Sequence, residues 1–277
     1  MGSENGMIES DPLPLAMTAY FVMVAVMVGL WVVQRRIRNA AIGDVGWCAG
    51  LIGTVLWYAT QAPVPGERIL LTVMLVTLYA GRLGHYILYD RVIGKEEDPR
   101  YKRLRKKWGT SEQVNMFAYF QVQAFAVVAF SLPFMVVLWN PRPPSSLVEM
   151  LGLLIWGIAV AGEAKADRQL AHFRADPRNQ GRVCREGLWK YSRHPNYFFE
   201  WLHWCSYVVM TMGAAGWIFT WIGPIGMWVA LVYVTGIPRT EEQARSSRGD
   251  EYKIYQATTN EFFPWFPRPT PGVSTRS

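Results

Sequence analysis

Cysteine is nearly absent. Three residues in 277, at positions 48, 184 and 205, are too few and too dispersed for a disulfide framework or a thiolate metal site. Cys48 and Cys205 fall in apolar runs and read as packing residues, whereas Cys184 lies in a basic loop and is expected to be reduced and cytosolic. Histidine is also scarce, and positions 85, 172, 194 and 203 make no His-x-x-x-His pair, so no metal site is expected. There is no glycine-rich dinucleotide fingerprint and no Walker sequence, so any nucleotide would have to bind between helices. Charged residues are only 18% of the chain against 51% apolar, which argues against an ordinary soluble domain.

What is present is aromatic, apolar and basic. Aromatics make up 14%, and the 13 tryptophans cluster near the ends of apolar runs, as a membrane–water interface selects. Seven such runs can be drawn: residues 15–33, 42–60, 69–89, 117–139, 147–162, 198–212 and 217–237. The first lacks a basic leader and a small-residue cleavage site, so it reads as a span rather than a signal peptide. The fifth and sixth are short, but each can continue as helix into amphipathic flanks. The fold class is therefore an all-α integral membrane protein of seven transmembrane helices. Residues 1–14 and 268–277 read as flexible tails. The Pro-rich link 140–144 divides a four-helix half (15–139) from a three-helix half (140–267) with a terminal extramembrane segment.

The net charge of +7 is unevenly placed. Alternate links and the tail carry 25 basic residues against only Arg68 and Arg142 in the others. This asymmetry places the N-terminus away from the cytoplasm and the C-terminus in it, with any site opening to the cytoplasm. Basic residues between apolar runs suit lipid headgroups and cofactor phosphates; no nucleic-acid groove is visible.

Four groups of residues could carry chemistry. Arg193, His194, Asn196, Tyr197, Glu200 and His203 crowd the mouth of the sixth run, where polar groups are costly and mark either a site or an interfacial cap. Glu163, Asp167, Leu170 and Arg174 follow spacings of four, three and four, so they share one helical face. Carboxylates there can accept from ribose hydroxyls or amides and Arg can fork onto phosphate, or the face is simply an ion-pair stripe. The third run carries Tyr79, Arg82 and Tyr86 on one face, with Tyr79 either a satisfied core donor or a proton donor to substrate. Asp44 opens the second run, either paired with Arg36 or Arg38 or desolvated as an acid. The loop Lys95–Tyr101, dense in both charge signs, is expected to be structured, and beyond the seventh run lie Glu241, Glu242 and a Gly-Asp-Glu-Tyr-x-x-Tyr segment from Gly249 to Tyr255.

RHPNYFFEW (193–201), followed by a span and then the distal Glu-Glu and Gly-Asp-Glu-Tyr-x-x-Tyr elements, resembles the superfamily of membrane sterol reductases and isoprenylcysteine or phospholipid methyltransferases. RNAAIGDVGW (38–47), YAGRLGHYILYDR (79–91) and EEDPRY (96–101) are similar to the bacterial branch of the steroid 5-alpha-reductase family, over about residues 35–267. The resemblance implies four front helices enclosing a lipidic substrate and three rear helices holding NADPH. It places Asp167 and Arg174 on the family's cofactor-binding aspartate and arginine, and Glu163 where the steroid enzymes carry asparagine. Asn196 and Glu200 match the sixth-span motif, and Asp90 falls near a cofactor-contacting asparagine. Asp98, Arg193, His194, Tyr197 and Glu241 complete the expected cofactor set. Tyr79, three before Arg82, matches the tyrosine that contacts the substrate carbonyl. The adjacent Gln-Glu pair of vertebrate members is missing; Asp44, or less closely Gln61, is the nearest replacement.

The resulting expectation is an NADPH-dependent reductase delivering hydride to the C=C of a 3-oxo-Δ4 steroid or similar lipophilic enone. Tyr79, assisted by Asp44, would polarise the carbonyl. The expected setting is a monomer in a bacterial inner membrane, among membrane lipids and with no nucleic-acid partner. The alternatives are an S-adenosylmethionine-dependent methyltransferase and a non-enzymatic lipid-binding or transport protein.

Overall fold

A computed structural model describes residues 12–142, 146–234 and 236–269, which form helices and turns with no strand among them. The assigned tails fall largely outside these residues, as does the Pro143–Pro144 part of the link. Nine helical segments are used below: α1 (Pro12–Ile37), α2 (Ile42–Ala59), α3 (Gly66–Val92), α4 (Pro99–Trp108), α5 (Glu112–Leu138), α6 (Leu147–Ala175), α7 (Pro195–Thr211), α8 (residues 217–234) and α9 (Ile237–Thr258). α1 is helical from Pro12, the first described residue, and so takes in part of the stretch read as a tail.

Among the described residues, six helical segments are long and apolar enough to cross a membrane: Pro12–Ile37, Ile42–Ala59, Gly66–Val92, Pro99–Leu138, Leu147–Ala175 and Trp217–Thr258. The fifth run does extend, giving a 29-residue α6. The sixth does not. Pro195 starts α7, and Gly213, at φ 75°, follows its C-cap. Its 17 residues reach about 25 Å at 1.5 Å each, at the lower limit of length for a ~30 Å hydrocarbon core.

The chain divides into two compact units. The first holds the described residues up to Arg142 together with Gly213–Thr220, so the turn after α7 belongs with the front helices and not with the rear ones. Its core is Met23, Met27, Met116, Phe120, Ala124 and Val127, packed between α1, α2 and α5. Glycines on α2 permit that approach: a Cβ at Gly46 would lie 2.1 Å from Leu30 Cδ1, and one at Gly43 2.9 Å from Phe120. α1 ends where Arg38 turns left-handed (φ 53°). Side chains then satisfy the turn: the Ala40 N–H donates to Glu97 (2.9 Å), and Asn39 Nδ2 donates to the Arg91 carbonyl (2.7 Å).

α3 is not a uniform α-helix. Thr77–Gly81 and Leu88–Val92 are π turns, each inserting one extra residue into the spiral. This corrects the shared face of Tyr79, Arg82 and Tyr86: Tyr79 is 1% exposed while Tyr86 is 52% exposed. The α-helical spacings of three and four no longer hold once a wide turn intervenes.

The second unit holds residues 146–212 and 221–269 of the described chain, and its strongest packing is α6 against α7. Gly152 and Gly162 make the contact close; their Cβ positions would lie 2.3 Å from Met210 and 2.4 Å from Phe199. α8 changes from a 3₁₀ opening through α-helix to a π turn, and α9 is kinked at Gly249 (φ 53°).

Candidate functional site

In the second unit, residues 187–194 cross between the end of α6 and α9. Gly187 is required twice over: its φ is 55°, and a Cβ would stand 2.1 Å from the Gln169 amide. The stretch is nailed down by Trp189 Nε1 donating to the Ala166 carbonyl (2.9 Å), Gln169 accepting from the Leu188 N–H (3.0 Å), and the Tyr255 hydroxyl donating to the Trp189 carbonyl. Tyr255 thus explains the distal Tyr of the Gly-Asp-Glu-Tyr-x-x-Tyr segment: it props the turn that presents Arg193 and Asn196.

Two polar arrangements emerge from that turn. The first is closed. Arg193 Nε donates to Glu241 (2.6 Å), Nη1 donates to the Thr259 carbonyl (2.7 Å) and the Gln256 carbonyl (3.2 Å), and Nη2 lies 3.4 Å from Glu261. His194 Nε2 is 3.3 Å from the same Glu241 oxygen, and Gln256 donates to the other. Arg193, His194 and Glu241 are all buried, so the structure brings these three together facing one another. Sequence spacing missed Gln256 and Thr259, since two of the contacts use main-chain carbonyls that no residue type announces. α9 carries Arg239, Glu241, Glu242, Arg245 and Arg248 within ten residues, too much charge for hydrocarbon, so it lies beyond the span. There, burial works to raise the Glu241 pKa, but hydrogen bonds from His194 and Arg193 and the Arg193 charge outweigh it and hold the carboxyl at about 2.

The second arrangement is open. Asn196 Nδ2 donates to Asp167 Oδ1 at 3.1 Å, which joins the carboxylate face of α6 to the first turn of α7. Glu163 lies one turn before Asp167 and is buried; Asp167 and Arg174 are exposed, and Arg174 makes no ion pair among the described residues. The Tyr197 ring stacks on His194 (5.4 Å between centroids, 6° between planes), with its hydroxyl 3.4 Å from that of Thr240. Glu200 is oriented by Trp204, whose indole N–H donates to it at 3.1 Å. Deeper in α7, His203 meets the Tyr207 hydroxyl (3.0 Å), which also accepts from Trp156. Outside the helices, the neighbouring Cys184 thiol is pushed up by burial, away from a reactive thiolate.

The first unit holds the remaining candidates. Asp44 pairs with Arg100 (2.5 Å), not with Arg36 or Arg38, and also accepts from the Tyr101 hydroxyl (2.7 Å). Both its oxygens are therefore acceptors. Gln61 is exposed, and the 17 positions that separate it from Asp44 amount to about 25 Å of helix. Asp98 is the N-cap of α4, accepting from the Arg100 N–H (2.8 Å) and pairing with Arg91 (3.3 Å). Asp90 is exposed in the second π turn of α3, and Tyr79 is buried in the first. The charge-dense loop is structured, as expected: Arg105 forks onto Glu97 (2.7 and 2.8 Å), donates to Gln34 (2.8 Å) and pairs with Glu112. Among the described residues, no cluster of His, Cys, Asp and Glu could hold a metal ion.

A family model described as a protein of unknown function, DUF1295, matches residues 30–259. The chain belongs to this family. It is also 25% identical over 242 residues to an uncharacterised protein of Schizosaccharomyces pombe, covering 76% of this chain and 67% of that one. No solved structure matches. The matched span of this DUF1295 chain runs from the last turns of α1 to the clamp residue Thr259, and so takes in parts of both units and, except for Glu261, both polar arrangements.

Proposed function

We propose that this chain is an NADPH-dependent membrane reductase of the steroid 5-alpha-reductase type, acting on the C=C of a 3-oxo-Δ4 steroid or similar lipophilic enone. The observation that carries the reading is the Asp167–Asn196 hydrogen bond, with buried Glu163 before it and, beyond it, Arg174, which makes no ion pair among the described residues. The donor set fits a dinucleotide. Carboxylates can accept from ribose hydroxyls, the Asn196 and Tyr197 side chains offer neutral hydrogen bonds, and Arg174 offers a fork for phosphate. The clamp of Arg193, Glu241 and His194 holds the turn that aims Asn196 and has few donors left for a ligand. When bound, the cofactor supplies the hydride. Tyr79 donates a hydrogen bond to the carbonyl oxygen as negative charge develops there. Asp44, accepting from Arg100 and Tyr101, assists by holding those two groups. The reading includes a seventh crossing by α7, an N-terminus away from the cytoplasm, a cytoplasmic opening of the site, and a monomer in a bacterial inner membrane.

The test is direct. Purified protein is titrated separately with NADPH and with S-adenosylmethionine, and NADPH oxidation is then followed with a panel of enones. NADPH binding with enone-dependent oxidation supports the proposal. Binding of S-adenosylmethionine alone replaces it with a methyltransferase, and binding of neither leaves a lipid-binding or transport protein.

A further inference from the structure

The segment after α9 has an arrangement that the reductase reading does not use. Residues 259–268 are irregular but firmly attached. The Arg193 N–H donates to the Asn260 carbonyl (2.8 Å), Trp265 N–H to Tyr191 (2.9 Å), Arg268 N–H to Thr258 (2.7 Å), and the Ser192 hydroxyl to Phe262 (2.8 Å). One side is anchored: Phe262 is buried against Phe198, Trp201 and Trp228, and Phe263, itself half exposed, stacks on Trp228 at 5.5 Å. The other face is bare. Trp265 and Phe266 are 68% and 73% exposed, and Tyr191, whose ring meets Phe266 edge-on at 6.1 Å, is also exposed.

Rigidly presented aromatics on an irregular segment are costly in water, and the hydrogen-bonding needs of such a backbone keep it out of the hydrocarbon. A headgroup layer satisfies both demands, with rings at the boundary and polar main chain beside water. Pro264 and Pro267 suit that depth by removing two N–H groups. Charge points to the kind of lipid. Lys190, whose ammonium sits 5.9 Å over the Tyr191 ring, and Arg268 flank the aromatics, and neither makes an ion pair among the described residues. The nearby carboxylate, Glu261, is already turned to Arg193.

We propose that Tyr191, Trp265 and Phe266 with Lys190 and Arg268 form an interfacial anchor for anionic phospholipid headgroups, on the membrane face where α7 begins. Because the segment shares backbone hydrogen bonds with residues 191–193, seating it also steadies the turn that presents Asn196. The anchor itself is independent of the reaction catalysed.

A nitroxide at Phe266→Cys tests this, in the full chain with Cys48→Ala, Cys184→Ala and Cys205→Ala. The protein is placed in nanodiscs of phosphatidylcholine with or without phosphatidylglycerol. Collisions with oxygen should exceed those with a water-soluble nickel chelate when phosphatidylglycerol is present. Lys190→Gln and Arg268→Gln should each weaken that seating roughly fivefold, the worth of one basic residue at an anionic surface. A label open to the nickel chelate in both membranes overturns the proposal. So does a depth that ignores phosphatidylglycerol, or spin–spin broadening that reports a second copy on this face.

Discussion

Arg193 and Asn196 are three residues apart in one turn, yet their surroundings are opposite. Arg193 is buried and saturated, each donor nitrogen directed at a carboxylate or carbonyl of α9 and the segment beyond it. Asn196 meets an exposed carboxylate, Asp167, with exposed Arg174 two turns further along α6. A guanidinium taken out of water must be paid for by its own protein, so the clamp is structure. In the open arrangement Asp167 and Arg174 stay at the surface, so their charges cost little to fold.

The comparison can be broken most forcefully at Glu241. Glu241→Ala leaves Arg193 buried without its carboxylate and should destabilise the protein by about 3–5 kcal/mol, read as a fall in the melting temperature in detergent. Tyr79→Phe should lower kcat for enone reduction by roughly 10²–10³-fold, the usual loss on removing a preorganised donor, while NADPH affinity changes less than about twofold. Equal losses in both would make Tyr79 a packing residue.

Acid separates the two arrangements by linkage. The folded pKa of Glu241, about 2, lies below its ordinary value of 4.5, so its stabilisation is fully present above pH 4.5 and is lost as pH falls toward 2. The loss should be roughly 3 kcal/mol, and it should be missing from the acid-unfolding profile of Glu241→Gln. The smallest effects on folding belong to the open side. Asp167→Ala and Arg174→Ala should each weaken NADPH binding about tenfold, near 1.4 kcal/mol, with stability changing by less than about 0.5 kcal/mol. A large drop in melting temperature for either would move it into the structural class.

Much of this was legible in the residues. Apolar runs long enough to cross a membrane announce themselves by length, and the helical spacing of Glu163, Asp167 and Arg174 survives because α6 stays regular through Ala175. Where the helix changes type, spacing fails: the π turn at Thr77–Gly81 separates Tyr79 from Tyr86, and no local composition signals it. Asp44 was legible as a paired or desolvated carboxylate, but its partners Arg100 and Tyr101 lie more than fifty residues away in sequence.

Hydropathy and charge act locally along the chain, so the residues alone specify an apolar, helical, membrane-suited protein with its basic residues held in alternate links. Which polar residues of one short motif are consumed and which stay at the surface is set by packing in three dimensions. That depends on main-chain carbonyls of Gln256 and Thr259 and on the Glu241 carboxylate, delivered from some fifty to seventy residues downstream. Saturation of a buried charge is a property of three-dimensional neighbours, and no spacing rule within the motif contains it.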